Sequence, residues 1–162
     1  MKSKNESDEH EANGGGHYLR FLLMTVLMFI SMYILMYAMV NSFAEVYNNV
    51  NQFYMAALMT APMVLIEILL MGAMYRNKKI NLAIIVASVI ALFGFWFLIR
   101  EQTAVADKQF IRSMIPYHSG AILMCRESVI TDAELKQLCG EIVKSQEQEI
   151  QQMKDILNRI DN

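Results

Sequence analysis

Residues 111–125, IRSMIPYHSGAILMC, bring together side-chain types that bind soft metal ions. Met114, His118 and Cys125 are spaced so that an α-helix would hold them within about 40° of one another on one face. Thioether, imidazole and thiolate groups together favour Cu(I) over Mg²⁺, Ca²⁺ or Mn²⁺. The pattern therefore predicts a metal site. A single inward histidine is nevertheless more often a core residue bonded to a neighbouring amide or carboxylate.

The segment that positions these residues, 101–162, has the apolar periodicity of two amphipathic helices. Thr131 or Asp132 can cap the second helix, which predicts an antiparallel helical hairpin with its turn near 130–132. Two helices of this size bury too little surface to fold alone. We therefore expect the hairpin to pack on the membrane part of the chain, on a second copy, or on both.

Folding the hairpin about position 132 identifies the residues that face His118. Gln146 falls opposite the ring, and Glu149 and Met153 fall nearby on the second helix. We predict that His118, Met114 and Met153 form a metal site, because they offer one imidazole and two thioethers from both helices. Glu149 and Gln146 would orient the imidazole from behind.

The two cysteines, Cys125 and Cys139, lie opposite each other about seven residues either side of the predicted turn. Outside the cell membrane they could close a disulfide with a loop of about 15 residues. Reduced, they would be small core residues or extra copper ligands. We favour the disulfide.

The composition is that of a small membrane protein with a polar appendage, since 55% of residues are hydrophobic and only 19% are charged. Apolar runs at 19–40, 53–74 and 82–99 predict three transmembrane helices in a membrane region spanning 19–100. Residues 1–18 are polar, charged and glycine-rich, which predicts a disordered tail.

The basic residues predict the orientation in the membrane. Arg76, Lys78 and Lys79 lie in the short turn 75–81, which should remain cytoplasmic, whereas the loop 41–52 contains neither Lys nor Arg. The N-terminal tail is then cytoplasmic and the hairpin lies outside. The lipid bilayer is the expected partner. The net charge of −2 and the lack of a basic stripe exclude nucleic acid from the prediction.

Methionines recur every four residues along the first two predicted spans, and the chain contains 14 methionines in all. Glu67 occupies one position of the second series. Such series are more often packing seams, because methionine is a flexible apolar filler. Glu67 favours a second interpretation, a methionine-lined copper path, since an ionisable residue in a span usually faces the bundle interior. It could equally pair with Ser31, Tyr33 or Tyr37. The two series are Met24, Met28, Met32 and Met36, and Met55, Met59, Met63 and Met71.

The motif F-x-x-x-M-I-P-Y-H-S-G-A-I-L-M, followed by E-I-V-K-S-Q-E-Q-E-I-Q-Q-M, resembles the bacterial family called domain of unknown function 305. The resemblance covers about residues 107–157. The membrane part also resembles the subgroup with three membrane helices before a single hairpin. One departure is clear: members usually carry two histidines after M-I-P, and Tyr117 stands in place of the first.

The resemblance implies a fold and a function. The fold would be an all-α membrane protein, in which three transmembrane helices precede an extramembrane antiparallel hairpin that is half of a ferritin-like four-helix bundle. Some members are periplasmic copper-binding proteins linked to copper tolerance, so the implied location is the bacterial inner membrane, with the hairpin in the periplasm.

Two functions follow from these expectations. The first is a non-enzymatic protein whose hairpin binds copper or a similar soft metal, because no nucleophile–base pair and no Glu-x-x-His pairs are present. The second is a metal-free interaction module, in which the hairpin forms a homodimer and anchors an assembly in the membrane.

Overall fold

A computed structural model describes the backbone of residues 2–75 and 77–161, and the side chains from residue 16 onward within those ranges. The described residues are helical and contain no strand, which confirms the all-α prediction. Two short 3₁₀ turns, Met36–Met39 and Phe43–Glu45, follow the first helix. The helices are α1 (Lys2–Leu35), α2 (Val50–Leu70), α3 (Lys78–Arg100), α4 (Asp107–Glu127) and α5 (Ala133–Asp161).

Three segments are long and apolar enough to cross a membrane, namely Gly16–Met39, Val50–Leu70 and Lys78–Arg100. They overlap the three predicted apolar runs. The third helix begins at Lys78 rather than at 82, because the Asn77 side chain caps it. Its Oδ1 atom accepts hydrogen bonds from the backbone N–H groups of Lys79 at 3.1 Å and Ile80 at 3.2 Å.

The N-terminal segment differs from the prediction of a disordered tail. The helix α1 begins at Lys2, so its backbone is continuous from the polar segment into the apolar span. Residues 2–12 include two Lys and three Glu, which have high helix propensity, and an already formed helical span removes the cost of nucleation.

The chain divides into two units. The three-helix unit contains Met1–Tyr33 and Tyr54–Glu101, and the two-helix unit contains Ile34–Phe53 and Gln102–Asn162. In the three-helix unit, one cluster of buried side chains comes from α1, α2 and the residues just after α2. They are Phe21, Val64, Ile68 and Tyr75, and Met24 and Met28 pack against them.

In the two-helix unit, α4 and α5 pack along an aliphatic seam. Burial of these side chains, at about 1.5–3 kcal/mol each, is the main interaction that holds the two helices together. The seam consists of Ile111, Ile115 and Ile122 from α4 and Ile150 and Leu157 from α5.

A second side of α4 is covered by segment 34–53, the connection between α1 and α2. The backbone N–H of Asn41 donates to Ser119 Oγ at 2.7 Å, and Ser119 is fully buried. The next residue, Gly120, allows a close approach of backbone, because a Cβ there would lie 3.4 Å from the Met39 carbonyl oxygen. The covering element is therefore a polar loop rather than a third amphipathic helix.

Asparagines fix this loop in place. The Asn49 side chain caps α2 by accepting from the Gln52 N–H at 2.8 Å, and it also accepts from Ser113 Oγ at 3.2 Å. The Asn51 amide donates to Gln102 Oε1 at 2.9 Å, at the start of the segment that leads into α4. Gln102 has a φ of 48°. The asparagine-rich composition of the loop thus serves packing as well as turning.

The two ends of the α4–α5 pair are closed by different bonds. Lys108 Nζ lies 2.7 Å from Asp161 Oδ1 where α4 begins and α5 ends. Near the connection between the helices, Cys125 and Cys139 form a disulfide. A cross-link at this point stabilises the fold chiefly by lowering the conformational entropy of the unfolded chain.

We predict that replacing both cysteines, Cys125→Ala with Cys139→Ala, lowers the free energy of unfolding by about 3 kcal/mol, the value expected for a loop of about 15 residues. Denaturant unfolding of the oxidised protein and of the double variant, followed by circular dichroism, measures the difference. Wild-type protein treated with reductant is the control and should match the variant. Equal stability of oxidised and reduced wild-type protein would contradict the prediction.

Candidate metal centre

The imidazole of His118 is held at both nitrogens. It projects from α4, which continues through Pro116, and its side chain is 11% exposed. Nδ1 lies 3.0 Å from the carbonyl oxygen of Met114, one turn earlier on the same helix. Nε2 lies 2.8 Å from Glu149 Oε2 on α5. The ring therefore joins the two helices midway along their length.

The two contacts limit where the protons of the ring can lie. A carbonyl and a carboxylate both accept hydrogen bonds, so both contacts are hydrogen bonds only when each ring nitrogen carries a proton. The neutral tautomer with its proton on Nδ1 keeps the bond to the Met114 carbonyl and leaves a lone pair on Nε2. This is the arrangement by which proteins orient a histidine ligand, with one nitrogen bonded to a carbonyl and the other free to bind a metal.

Glu149 is held in place by a neighbour on its own helix. The Ser145 hydroxyl donates to Glu149 Oε1 at 2.7 Å. This hydrogen bond, together with the contact to His118, holds the pKa of Glu149 below its usual value. The carboxylate is 47% exposed, so water also reaches it. Glu149 contacts Nε2, the nitrogen that would bind a metal. The Met114 carbonyl contacts the other ring nitrogen, Nδ1.

The predicted thioether ligands, Met114 and Met153, are both partly buried. Met153 packs against the buried cluster of isoleucines, and Met114 is half-buried. Gln146 is half-buried, but Glu149 rather than Gln146 contacts the ring. Among the described residues, no group of three or more His, Cys, Asp or Glu side chains could hold a metal ion. A metal here would therefore need thioether ligands besides His118.

The disulfide removes the cysteines from this set. Cys125 and Cys139 are bonded to each other, so neither thiolate is free to coordinate a metal while the bridge is intact. The predicted ligands that remain are Nε2 of His118 and the thioethers of Met114 and Met153, and the carboxylate of Glu149 lies against Nε2.

Tyr117 lies on a different face of α4. Its side chain is 56% exposed, and it forms an exposed apolar stripe with Phe110 and Met124, which are seven residues away on either side. Substitution of histidine by tyrosine at this position therefore changes the outer face of α4. It takes no ligand from the inner set around His118.

The methionines of the two series do not line the cavity of the three-helix unit. Met24 and Met28 pack against the buried cluster of the three-helix unit, whereas Met59, Met63 and Met71 are 40–41% exposed. The cavity between the three helices is lined by neither series nor by Glu67. The positions of Met24 and Met28 match the packing interpretation.

Glu67 has a partner that the sequence analysis did not consider. The hydroxyl of Tyr75, just beyond α2, donates to Glu67 Oε1 at 3.2 Å. The residue lies one turn from the end of α2 at Leu70, so its carboxylate reaches the helix terminus. The predicted alternatives, Ser31, Tyr33 and Tyr37, all lie much earlier in the chain.

A second polar cluster, which includes Ser119 next to His118, was not predicted from the sequence. Ser119 Oγ donates to Glu45 Oε2 at 2.5 Å, and Lys154 Nζ on α5 lies 3.7 Å from Glu45 Oε1. Glu45 is thereby 87% buried, with its side chain only 13% exposed. The signal in the sequence is that Glu45 is the only charged residue of the loop 41–52. This cluster holds the loop against the residues that flank His118.

Comparisons with known proteins agree with the motif. The profile of the family described as domain of unknown function (DUF305) matches residues 98–157. An uncharacterized protein of Acanthamoeba polyphaga mimivirus is 35% identical over 120 residues, which cover 73% of this chain and 77% of the relative. No solved structure matches. The profile match extends over α4, the connection between α4 and α5, and most of α5. It includes every residue of the candidate centre.

The lowered pKa of Glu149 predicts a pH dependence of stability. A carboxylate whose pKa is lower in the folded state stabilises the fold above its unfolded pKa, and that contribution is lost as the pH falls through the folded value. We therefore expect the stability difference between wild-type protein and Glu149→Gln to decrease as the pH falls below about 4.5.

Thermal unfolding of both proteins from pH 7 to pH 3 measures this difference. Glu141→Gln is the matched control, because Glu141 is exposed on the same helix and contacts only Gln137. A difference for Glu149→Gln that stays the same at pH 3 as at pH 7 would show that the carboxylate charge does not stabilise the fold.

Proposed function

We propose, for a chain that belongs to the family of the domain of unknown function (DUF305), that α4 and α5 form an extramembrane hairpin that binds Cu(I) and contributes to metal tolerance. The observation that carries the proposal is the state of His118. Its Nδ1 lies 3.0 Å from the Met114 carbonyl oxygen, and the neutral tautomer protonated at Nδ1 presents Nε2 as a ligand.

The ligand set fits a soft ion. Nε2 of His118 with the thioethers of Met114 and Met153 gives one nitrogen and two sulfurs, which suits Cu(I) better than harder cations. Binding requires Glu149 to release Nε2. Its carboxylate is 47% exposed and accepts a hydrogen bond from Ser145. After release, water and Ser145 therefore still solvate the carboxylate. The negative charge then stays close to the bound cation.

The same proposal includes a location. The three apolar helices cross a bacterial inner membrane, the N-terminal segment lies in the cytoplasm, and the hairpin lies in the periplasm. Lys78 and Lys79 at the start of α3 support this orientation. The Cys125–Cys139 disulfide supports it as well, since structural disulfides persist in oxidising compartments.

We expect His118→Ala to weaken Cu(I) binding by at least about tenfold, with smaller losses for Met114→Leu and Met153→Leu. Anaerobic titration of the detergent-solubilised full chain against a competing Cu(I) chelator measures the affinities. Met124→Leu is the matched control, because this thioether is exposed on another face of α4. Thiol alkylation before titration verifies that the disulfide is intact. Equal affinity of wild-type protein and His118→Ala would refute the metal centre.

A second candidate function is a metal-free interaction module that dimerises through the hairpin. One observation favours it: Phe110, Tyr117 and Met124 are each more than half exposed and recur every seven residues along α4. A seven-residue repeat of large apolar side chains is the spacing with which one helix packs against a second helix. Two hairpins joined along this stripe would complete a four-helix bundle.

Under this function, the wild-type protein forms a dimer in mild detergent, and Phe110→Glu with Met124→Glu converts it to a monomer, because the charges would be buried without partners. Light scattering coupled to size-exclusion chromatography gives the protein mass in each complex. Gln148→Glu introduces a charge at an exposed position of α5 and serves as the control. A monomeric wild-type protein contradicts the interaction module and leaves the copper titration unaffected.

A further inference from the structure

The three-helix unit contains an apolar cavity of about 580 Å³ between α1, α2 and α3. Along α3 it extends from Ile80 to Phe95, which at 1.5 Å per residue is about 22 Å. One leaflet of a bilayer has a hydrocarbon depth of about 15 Å, half of the usual core. The cavity is therefore long enough to hold a hydrocarbon chain that enters from the end of α3 where Lys78 lies.

Two threonine hydroxyls of the cavity wall are bonded within their own helices. The hydroxyl of Thr25 donates to the Phe21 carbonyl at 3.0 Å, and that of Thr60 donates to the Ala56 carbonyl at 2.8 Å. Each hydroxyl is thus satisfied within its own helix. The space itself results from small side chains at the wall, including Ala57, Ala61, Ala87 and Ala91.

The end of the cavity near the start of α3 is polar. The Tyr18 ring lies 5.3 Å from the Tyr75 ring, and the Tyr18 hydroxyl donates to Asn81 Oδ1 at 2.8 Å. Amphipathic aromatic residues of this kind occupy the boundary between hydrocarbon and headgroups. Tyr75 also donates to Glu67, so the carboxylate at this end already has a partner.

Cations surround the same end without counterions. Arg20 follows the lining residue Tyr18 by two positions, and Lys78 and Lys79 immediately precede the lining residue Ile80. All three side chains are exposed, and no described carboxylate lies within ion-pair distance of them. Two lysines in the first turn of α3 also lie at the positive end of the helix dipole, which is unfavourable. A bound anion would reduce this repulsion.

We infer that an anionic phospholipid occupies this cavity, with one acyl chain between the helices and its phosphate against Arg20, Lys78 and Lys79. The apolar wall fits the chain, and the unpaired cations at the open end fit the headgroup charge. The inference rests on membrane insertion of the three helices. It is independent of copper binding, because it uses no residue of the two-helix unit.

The test uses full-length protein and equimolar phosphatidylglycerol and phosphatidylcholine of identical acyl chains. Native mass spectrometry from mild detergent counts the retained lipid of each kind. We expect wild-type protein to retain one phosphatidylglycerol, in at least about tenfold preference to phosphatidylcholine. The triple variant Arg20→Gln, Lys78→Gln, Lys79→Gln should lose that preference, and Ala61→Leu with Ala91→Leu, which fills the cavity, should lose the retained lipid.

Two matched controls should behave as wild type. Arg100→Gln removes a cation at the opposite end of α3, and Ala83→Leu adds the same bulk on α3 outside the cavity lining. Equal retention of the two lipids by wild-type protein would overturn the inference. So would lipid-free dimers that the cavity-filling change converts to monomers, because the occupant would then be a second copy of the chain. Neither result bears on the copper titration.

Discussion

The two-helix unit depends on one constraint, which is that α4 must be covered on two sides while α5 can cover only one. The aliphatic seam of Ile111, Ile115 and Ile122 satisfies the side toward α5. The other side carries Ser119 and Gly120, which are small enough for the backbone of segment 34–53 to approach. The connection between the first two helices thus becomes the third wall of a small domain, and its polar groups bond to α4 in place of water.

The candidate centre follows from this packing. Because α4 is held on both sides, the imidazole of His118 has a fixed direction toward α5, where Glu149 meets Nε2. Its Nδ1 lies 3.0 Å from the Met114 carbonyl oxygen within α4. In the metal-free state the histidine joins the helices as a structural residue would, and in the proposed copper-bound state the same orientation presents a ligand. The same orientation of His118 thus serves helix packing without copper and ligand binding with it.

Much of this fold could be predicted from the sequence, because it rests on patterns that extend over whole helices. The apolar runs indicated α1, α2 and α3, and the three- and four-residue spacing indicated α4 and α5. Folding about position 132 brought Cys125 opposite Cys139, as the disulfide has it. Such predictions need only the helical period and an approximate turn.

The finer features could not be predicted because they depend on particular side-chain contacts. Whether Gln146 or Glu149 meets His118 is decided by about one helical turn of register, which the position of a turn does not fix. The partner of Glu45 is a serine on α4, far away in sequence. The pairing of Glu67 with Tyr75 depends on where α2 ends. Long-range polar pairs carry no periodic signal.

The central claim is that the Met114 carbonyl keeps the proton on Nδ1 of His118, so that Nε2 is the metal ligand. Nitrogen-15 NMR of protein labelled at histidine tests it directly, with His118→Ala used to assign the signals. We expect Cu(I) to shift the Nε2 resonance of His118 while Nδ1 remains protonated. Metal coordination at Nδ1, or an Nε2 resonance unchanged by Cu(I), would contradict it.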